Sequence, residues 1–197
     1  MDLSYSIWSR QQTNIEGLLG TDYGGKFANC YVISHKKTHD EGVLKIVWKA
    51  HMRKTNSGWK RVMNERLVWQ KVSSHTNTIA LKGFFETEAA YCFVAEHIKD
   101  AVSLSVVTKS APLPEEVVKY LSGQLAVVLN HLHSNGILHR SLSPDCILVE
   151  KCGRLRLCDF ETAKVCEFSC HPFGDCSYLA PEIIQVLNLS LIFQIIF

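Results

Sequence analysis

The sequence has no excess of charge of either sign. Twenty-one Lys and Arg stand against 19 Asp and Glu, a formal net charge of +2 in 197 residues. That balance gives no electrostatic case for nucleic acid, where a basic stripe would be expected. A basic start followed by an apolar run is also lacking. The opening, MDLSYSIWSRQQTNIEG, does not read as a secretory signal. The eight cysteines are therefore expected to be reduced thiols, and the protein cytoplasmic. Internal repeats and low-complexity tracts do not stand out. There is no apolar run of the roughly 18–20 residues that a spanning helix needs. The longest candidate, VLNLSLIFQIIF at 186–197, falls well short of it. Extending that window back to Tyr178 takes in Pro181 and Glu182, so no membrane span is expected.

What is present is ordinary globular material, 47% apolar and 20% charged, which excludes a disordered tail or a coiled coil. The length suits one domain or two small lobes. The first half reads as strand and turn. The apolar and β-branched runs CYVISHKK, GVLKIVWKA, TIALKGFF and AAYCFVAEHI are separated by polar or glycine-containing stretches. A helical pattern starts at Ser57, with Val62, Arg66 and Trp69 near one face and Glu65 on a neighbouring one. Beyond Pro112 and Pro114, positions Val118, Leu121, Leu125, Val128 and Leu132 recur at three- and four-residue steps behind an acidic first turn, the mark of an amphipathic helix. AVSLSVVTKSAPLP, at 101–114, is the expected hinge between a β-rich lobe and a helical one.

The helix runs into GILHRSLSPDCILVEKCGRLRLCDFETAK, and YLAPEII follows at 178–184. Here the chain resembles the protein kinase family, from Leu18 to about Gln185 and in the family's order. NERLVWQKV and YLAPEII give it an AGC-like Ser/Thr cast. An ordered set of motifs is specific where any one of them would be weak. The resemblance implies an α+β, bilobal fold. Residues 1–17 would be an N-terminal extension, 18–98 the N-lobe and 99–185 a partial C-lobe ending at the Ala-Pro-Glu motif. Residues 186–197 would be an apolar tail foreign to the family.

The resemblance also implies an ATP site. A kinase positions ATP and a hydroxyl, neutralises phosphate charge with Lys and Mg²⁺, and lets an Asp accept the hydroxyl proton. The phosphate-covering turn G-x-G-x-x-G-x-V falls on Gly20, Asp22, Gly25 and Phe27. Asp22, in place of the middle glycine, puts a carboxylate where backbone should approach phosphate. The phosphate-binding lysine falls on Lys45, with Glu65 as its partner twenty positions on; Lys49 is the rival position. Val43 and Leu148 would also belong to the cofactor-binding set. Ala95 would guard the back of the pocket, and the backbone of Glu96 to Ile98 would read the base.

The chemical positions are altered. The family's H-R-D-L-x-x-x-N is His139, Arg140, Ser141, Leu142 and, at its end, Cys146. Ser141 stands where the proton-accepting Asp belongs, and a hydroxyl has no useful basicity near neutral pH. Cys146 stands where Asn would bind a second Mg²⁺, and sulfur is a poor ligand for that hard cation. Asp145 is a nearby carboxylate. The D-F-G triplet reads Asp159, Phe160 and Glu161, which keeps one metal ligand and loses the glycine pivot, so a Mg²⁺ site would be weakened. Phe160, His139 and Trp69 are expected to stack as an internal spine. Cys166, Cys170, His171 and Cys176, with Cys152 and Cys158 upstream, make a loose zinc spacing; the alternative is a set of semi-buried thiols.

Three functional readings follow. The first is a kinase-like domain with impaired or absent phosphotransfer that regulates or scaffolds a protein partner. The second is an active Ser/Thr kinase with an unusual base. The third is a non-functional truncated form.

Overall fold

The computed structural model describes residues 8, 13–20, 28–52, 58–166 and 176–185. Five antiparallel strands form the upper sheet: β1 (Thr13–Gly20), β2 (Ala28–His35), β3 (Glu41–Trp48), β4 (Leu81–Glu86) and β5 (Ala90–Glu96), in the spatial order β1-β2-β3-β5-β4. The sheet takes in Thr13, five residues before the Leu18 at which the sequence reading placed its start. The β2–β3 hairpin closes through His35 N donating to Asp40 O, with His39 at φ +58°.

Alternation along β3 and β5 divides the sheet into two faces. Leu44, Ala90, Cys92 and Val94 pack with Ile33 and Trp8 on one face. Val43, Val47, Phe93 and Ala95 point to the other, where the main core lies. That second face is covered by a helix.

A short α1 (Lys49–Met52) precedes α2 (Gly58–Val72). A Cβ on Gly58 would lie 2.7 Å from the Met52 Cβ, so the start of α2 tolerates no side chain there. Beyond Gly58, the buried positions of α2 are Val62, Glu65, Val68, Trp69 and Val72. This corrects the expected face. Glu65 lies on the buried stripe, while Arg66 sits at its edge, 4.7 Å above the Phe84 ring.

The expected hinge also needs correction. Residues 101–114 are not a linker but contain β6 (Val102–Ser103) and α3 (Leu104–Ser110), capped by the Ser103 side chain. β6 pairs with β8 (Ile147–Val149), which pairs with β9 (Leu155–Leu157). The segment therefore belongs to the lower half, and the passage between the halves is the short stretch after Glu96. The reason is local: Ser103 caps a helix where composition alone suggested a spacer.

Below lies α4 (Glu115–Ser134), which buries Leu121, Val128 and Leu132. β7 (Ile137–Leu138) pairs with β10 (Lys164–Val165), and a 3-10 turn spans Pro144–Cys146. Residues 181–185 are helical. The halves are joined by main-chain bonds: Ile79 N donates to Leu157 O at 3.0 Å, and Leu157 N to Asn77 O at 2.7 Å. Among the described residues no helix is long and apolar enough to cross a membrane. The apolar stretch 186–197 lies outside the described residues.

Candidate functional site

A cleft opens between the sheet and the lower half. A concave, mostly apolar lining with a few convergent polar groups suits a small-molecule ligand. Val43 and Lys45 line it from β3. Ala95, Glu96 and Ile98 line it from the end of β5, Leu148 from β8, and Asp159 from beyond β9. The sequence reading assigned the first six of these to the nucleotide and Asp159 to a metal ion. Gly20 ends β1 opposite Cys30, whereas Gly25 and Phe27 lie outside the described residues.

Lys45 is the charged centre. It is buried, and its Nζ lies 2.7 Å from Glu65 Oε1 and 3.5 Å from Asp159 Oδ1. Burial works against the ammonium, but the facing Glu65 and Asp159 carboxylates outweigh it and hold the Lys45 pKa above its ordinary value. Burial likewise raises the Glu65 carboxyl, with Lys45 opposing. At 2.7 Å the two remain an ion pair, since each is the other's main compensation for lost water. The rival Lys49 is elsewhere: its Nζ pairs with Glu86 at 2.5 Å and donates to Thr87 O at 2.7 Å.

Behind Lys45 the aromatic side chains are in contact. Trp69 lies 6.1 Å from Phe160 between ring centres, and Phe160 lies 5.5 Å from His139. Trp69 also stacks on Phe93 at 5.8 Å and donates from Nε1 to Ile79 O at 2.7 Å. His139 Nε2 is 3.1 Å from Cys158 O and its Nδ1 is buried with no hydrogen-bond partner, which fits a neutral ring donating from Nε2. Burial pushes the His139 pKa down, with the same direction as that geometry.

Two residues of the site lie in the left-handed region: Arg140, in the loop after β7, at φ +67°, and Asp159, just beyond β9, at φ +62°. Non-glycine residues held there cost about 1–3 kcal/mol and cluster at functional sites. Arg140 Nε donates to Thr162 O at 2.7 Å, and Thr162 Oγ1 to His139 O at 3.0 Å. Those two bonds fasten the loop to the segment after Phe160.

Ser141 and Cys146 do not line the cleft. Cys146 is buried, and its thiol is spent on its own turn. The Sγ accepts from Ser143 N at 3.3 Å and lies 3.0 Å from Ser143 O. Burial pushes this thiol up to about 11, so it is neutral. Asp145, on the same turn, is exposed and lies away from the cleft lining. Glu161 turns to α2, with its Oε1 2.9 Å from Arg61 Nη2. A pair of magnesium ions therefore does not fit the residues present: Asp159 is the one oxygen ligand of the family pattern still facing the cleft. Among the described residues no group of three His, Cys, Asp or Glu could hold a metal. Of the cysteines weighed for zinc, Cys152 is exposed, Cys158 is buried beside Cys146, and Cys166 is half-buried, while Cys170 and His171 lie outside the described residues.

Several contributors escaped sequence reading. Cys30 and Cys158 line the cleft with Trp69 and Ile79. Burial raises the Cys30 thiol to about 11, so it lines the wall as a neutral group. Cys30 sits across from Lys45 in the strand register, and strand alternation was the signal that could have found it. Arg156 pairs with Glu96 and donates from Nη1 to Thr76 O at 2.6 Å, so the wall of the cleft at Glu96 is fixed from β9. The Glu96 N–H is itself taken by Ala80 O at 2.8 Å.

Comparison with known proteins agrees with this geometry. The family model described as protein kinase domain matches residues 15–191. The serine/threonine-protein kinase sgk-1 of Caenorhabditis elegans is 30% identical over 93% of this chain and 40% of its own length. A cAMP-dependent protein kinase catalytic subunit of Arthrobotrys oligospora is 29% identical over 90% of this chain and 33% of its own. A probable serine/threonine-protein kinase, fhkC, of Dictyostelium discoideum is 29% identical over 89% of this chain and 30% of its own. The chain thus spans between 30% and 40% of the length of these relatives.

Proposed function

The chain belongs to the protein kinase family, and on that premise we propose that it is a kinase-like domain that binds an adenine nucleotide without transferring its phosphate. Val43 and Leu148 close on the base, and Ala95 leaves room behind it. Lys45, held by Glu65, faces the phosphates as a point charge. The observation that carries the reading is the contrast between that intact ion pair and Ser141. The charge that holds a nucleotide is in place, while the group that would take the hydroxyl proton is not. A positioned general base contributes about 10²–10⁴-fold to rate. Losing it, together with an oxygen ligand at Cys146, leaves binding as the useful property. Such a domain works in the cytoplasm by docking a protein partner, as a regulator or scaffold.

The test is a phosphotransfer assay with γ-labelled ATP, on the chain itself and on a mixed Ser/Thr peptide substrate. No label above a protein-free control is expected. Transfer that disappears in Lys45→Met would overturn the reading and favour an active kinase with an unusual base. Nothing in the site favours that alternative, because Asp145 lies outside the cleft lining.

A further inference from the structure

The cleft keeps a cation and has lost one of the pattern's two metal ligands, and these two facts point the same way. Magnesium takes about six oxygens in near-octahedral geometry and sheds its water reluctantly. Here the Cys146 sulfur is turned into the Ser143 turn, 3.0 Å from Ser143 O. Glu161 is held by Arg61 at 2.9 Å. Asp159 remains, with Oδ1 3.5 Å from the Lys45 ammonium. We infer that this cleft takes its adenine nucleotide as the metal-free anion, with Lys45 in the role a divalent cation would otherwise fill. The inference rests on the nucleotide reading above and adds the ionic form of the ligand.

Charge and donor geometry support it. An ammonium has three N–H donors. One faces Glu65 and another faces Asp159, which leaves the third for a phosphate oxygen on the cleft side. Burial makes that donor stronger, because the charge is poorly screened by water. The carboxylates near it are Glu65, Asp159 and Glu161, and the cations are Lys45 and Arg61. Ser141 and Cys146 are both neutral where the family pattern has an Asp and a metal-binding Asn. The carboxylate lost at Ser141 is matched in number by Glu161, but Glu161 is spent on Arg61, so Asp159 is the one oxygen ligand of the pattern left to a divalent ion.

The experiment is a thermal-shift titration of the full chain with ATP, in EDTA and in excess Mg²⁺. A ligand that binds the native state raises the melting temperature by mass action. The apparent Kd in EDTA is expected to equal or improve on that in Mg²⁺, with a difference below about threefold. Asp159→Asn, which removes a carboxylate facing the phosphates, is expected to tighten binding in EDTA. If ATP stabilises the protein in Mg²⁺ but tenfold more weakly in EDTA, the inference is overturned and the nucleotide reading stands. If ATP stabilises the protein in neither buffer, the nucleotide reading falls and the inference falls with it. The two-buffer comparison on the unaltered chain decides the matter even where Asp159→Asn does not fold.

Discussion

Arg61 Nη2 lies 2.9 Å from Glu161 Oε1, and the contact joins α2 to the residue just past Phe160, 100 positions away. Beside it, Asn64 Nδ2 donates to Ala163 O at 2.6 Å, and Glu65 meets Lys45. One helix face thus holds the strand that carries the cation and also the segment that carries Asp159. The kinase pattern has a glycine where Glu161 stands, so in this chain a pivot has become a tether.

Replacing that tether tests its strength. Arg61 is 40% exposed in its side chain, so solvent screens the pair. Glu161→Gly is expected to cost about 0.2–1 kcal/mol in urea unfolding. Hydrogen exchange at the α2 amides should speed up at the same time. A loss well above that range would mean Glu161 supports more than one contact.

The buried pair should behave differently. Lys45→Met leaves the Glu65 carboxylate buried without its counter-ion, and about 3–5 kcal/mol of destabilisation is expected. Lys45→Met with Glu65→Leu should recover most of it, because no charge is then left stranded. Chemical denaturation of the two singles and the double gives the coupling directly. Additive losses would contradict the pairing.

Trp69 touches both Phe93 and Phe160 and is 4% exposed. Trp69→Ala should cost about 3–5 kcal/mol by opening a cavity between sheet and lower half. Trp69→Phe should cost less, keeping the ring contacts but losing the bond to Ile79 O. Tryptophan fluorescence of the parent, quenched on unfolding, gives the transition for comparison with circular dichroism of the variants.

Stability should fall as the solution is made acidic. Burial depresses the His139 pKa, so the unfolded chain binds a proton more readily than the folded one. The contribution is fully present above the unfolded value of about 6.5 and is lost as pH falls toward the folded value. Protonation would place a charged N–H at Nδ1, which has no acceptor. His75, lowered by burial and by the stacked His131 at 4.5 Å, adds in the same direction. Melting temperature should therefore drop between about pH 7 and 5, and His139→Gln should flatten the slope without abolishing it.

Much of the site could be read through the resemblance to an ordered set of kinase motifs. The resemblance to the kinase motifs implies that Lys45 pairs with Glu65, with Lys49 as the rival, and the structure brings Lys45 and Glu65 to 2.7 Å. The misreadings share a cause. Residues 101–114 looked like a linker because proline and small polar residues mark both spacers and helix caps, and here Ser103 is a cap. The sequence pattern groups Arg66 with Val62 and Trp69, and Glu65 with the neighbouring face, because a 3.6-residue period leaves the edge of a stripe undefined by one residue.

The sequence alone determined which residues occupy the chemical positions: a serine for the base, a cysteine for a ligand, a glutamate for the pivot. Those substitutions are covalent facts and need no geometry. Only the tertiary structure decided what the substituted side chains do. Cys146 has turned its sulfur into its own backbone, Glu161 has found Arg61, and Arg156 has reached Glu96 and Thr76. The Glu161 and Arg156 choices are made between groups 60 to 100 positions apart that packing brings together, while Cys146 turns to its own 3-10 turn because burial leaves its sulfur no water, and local periodicity carries no information about either.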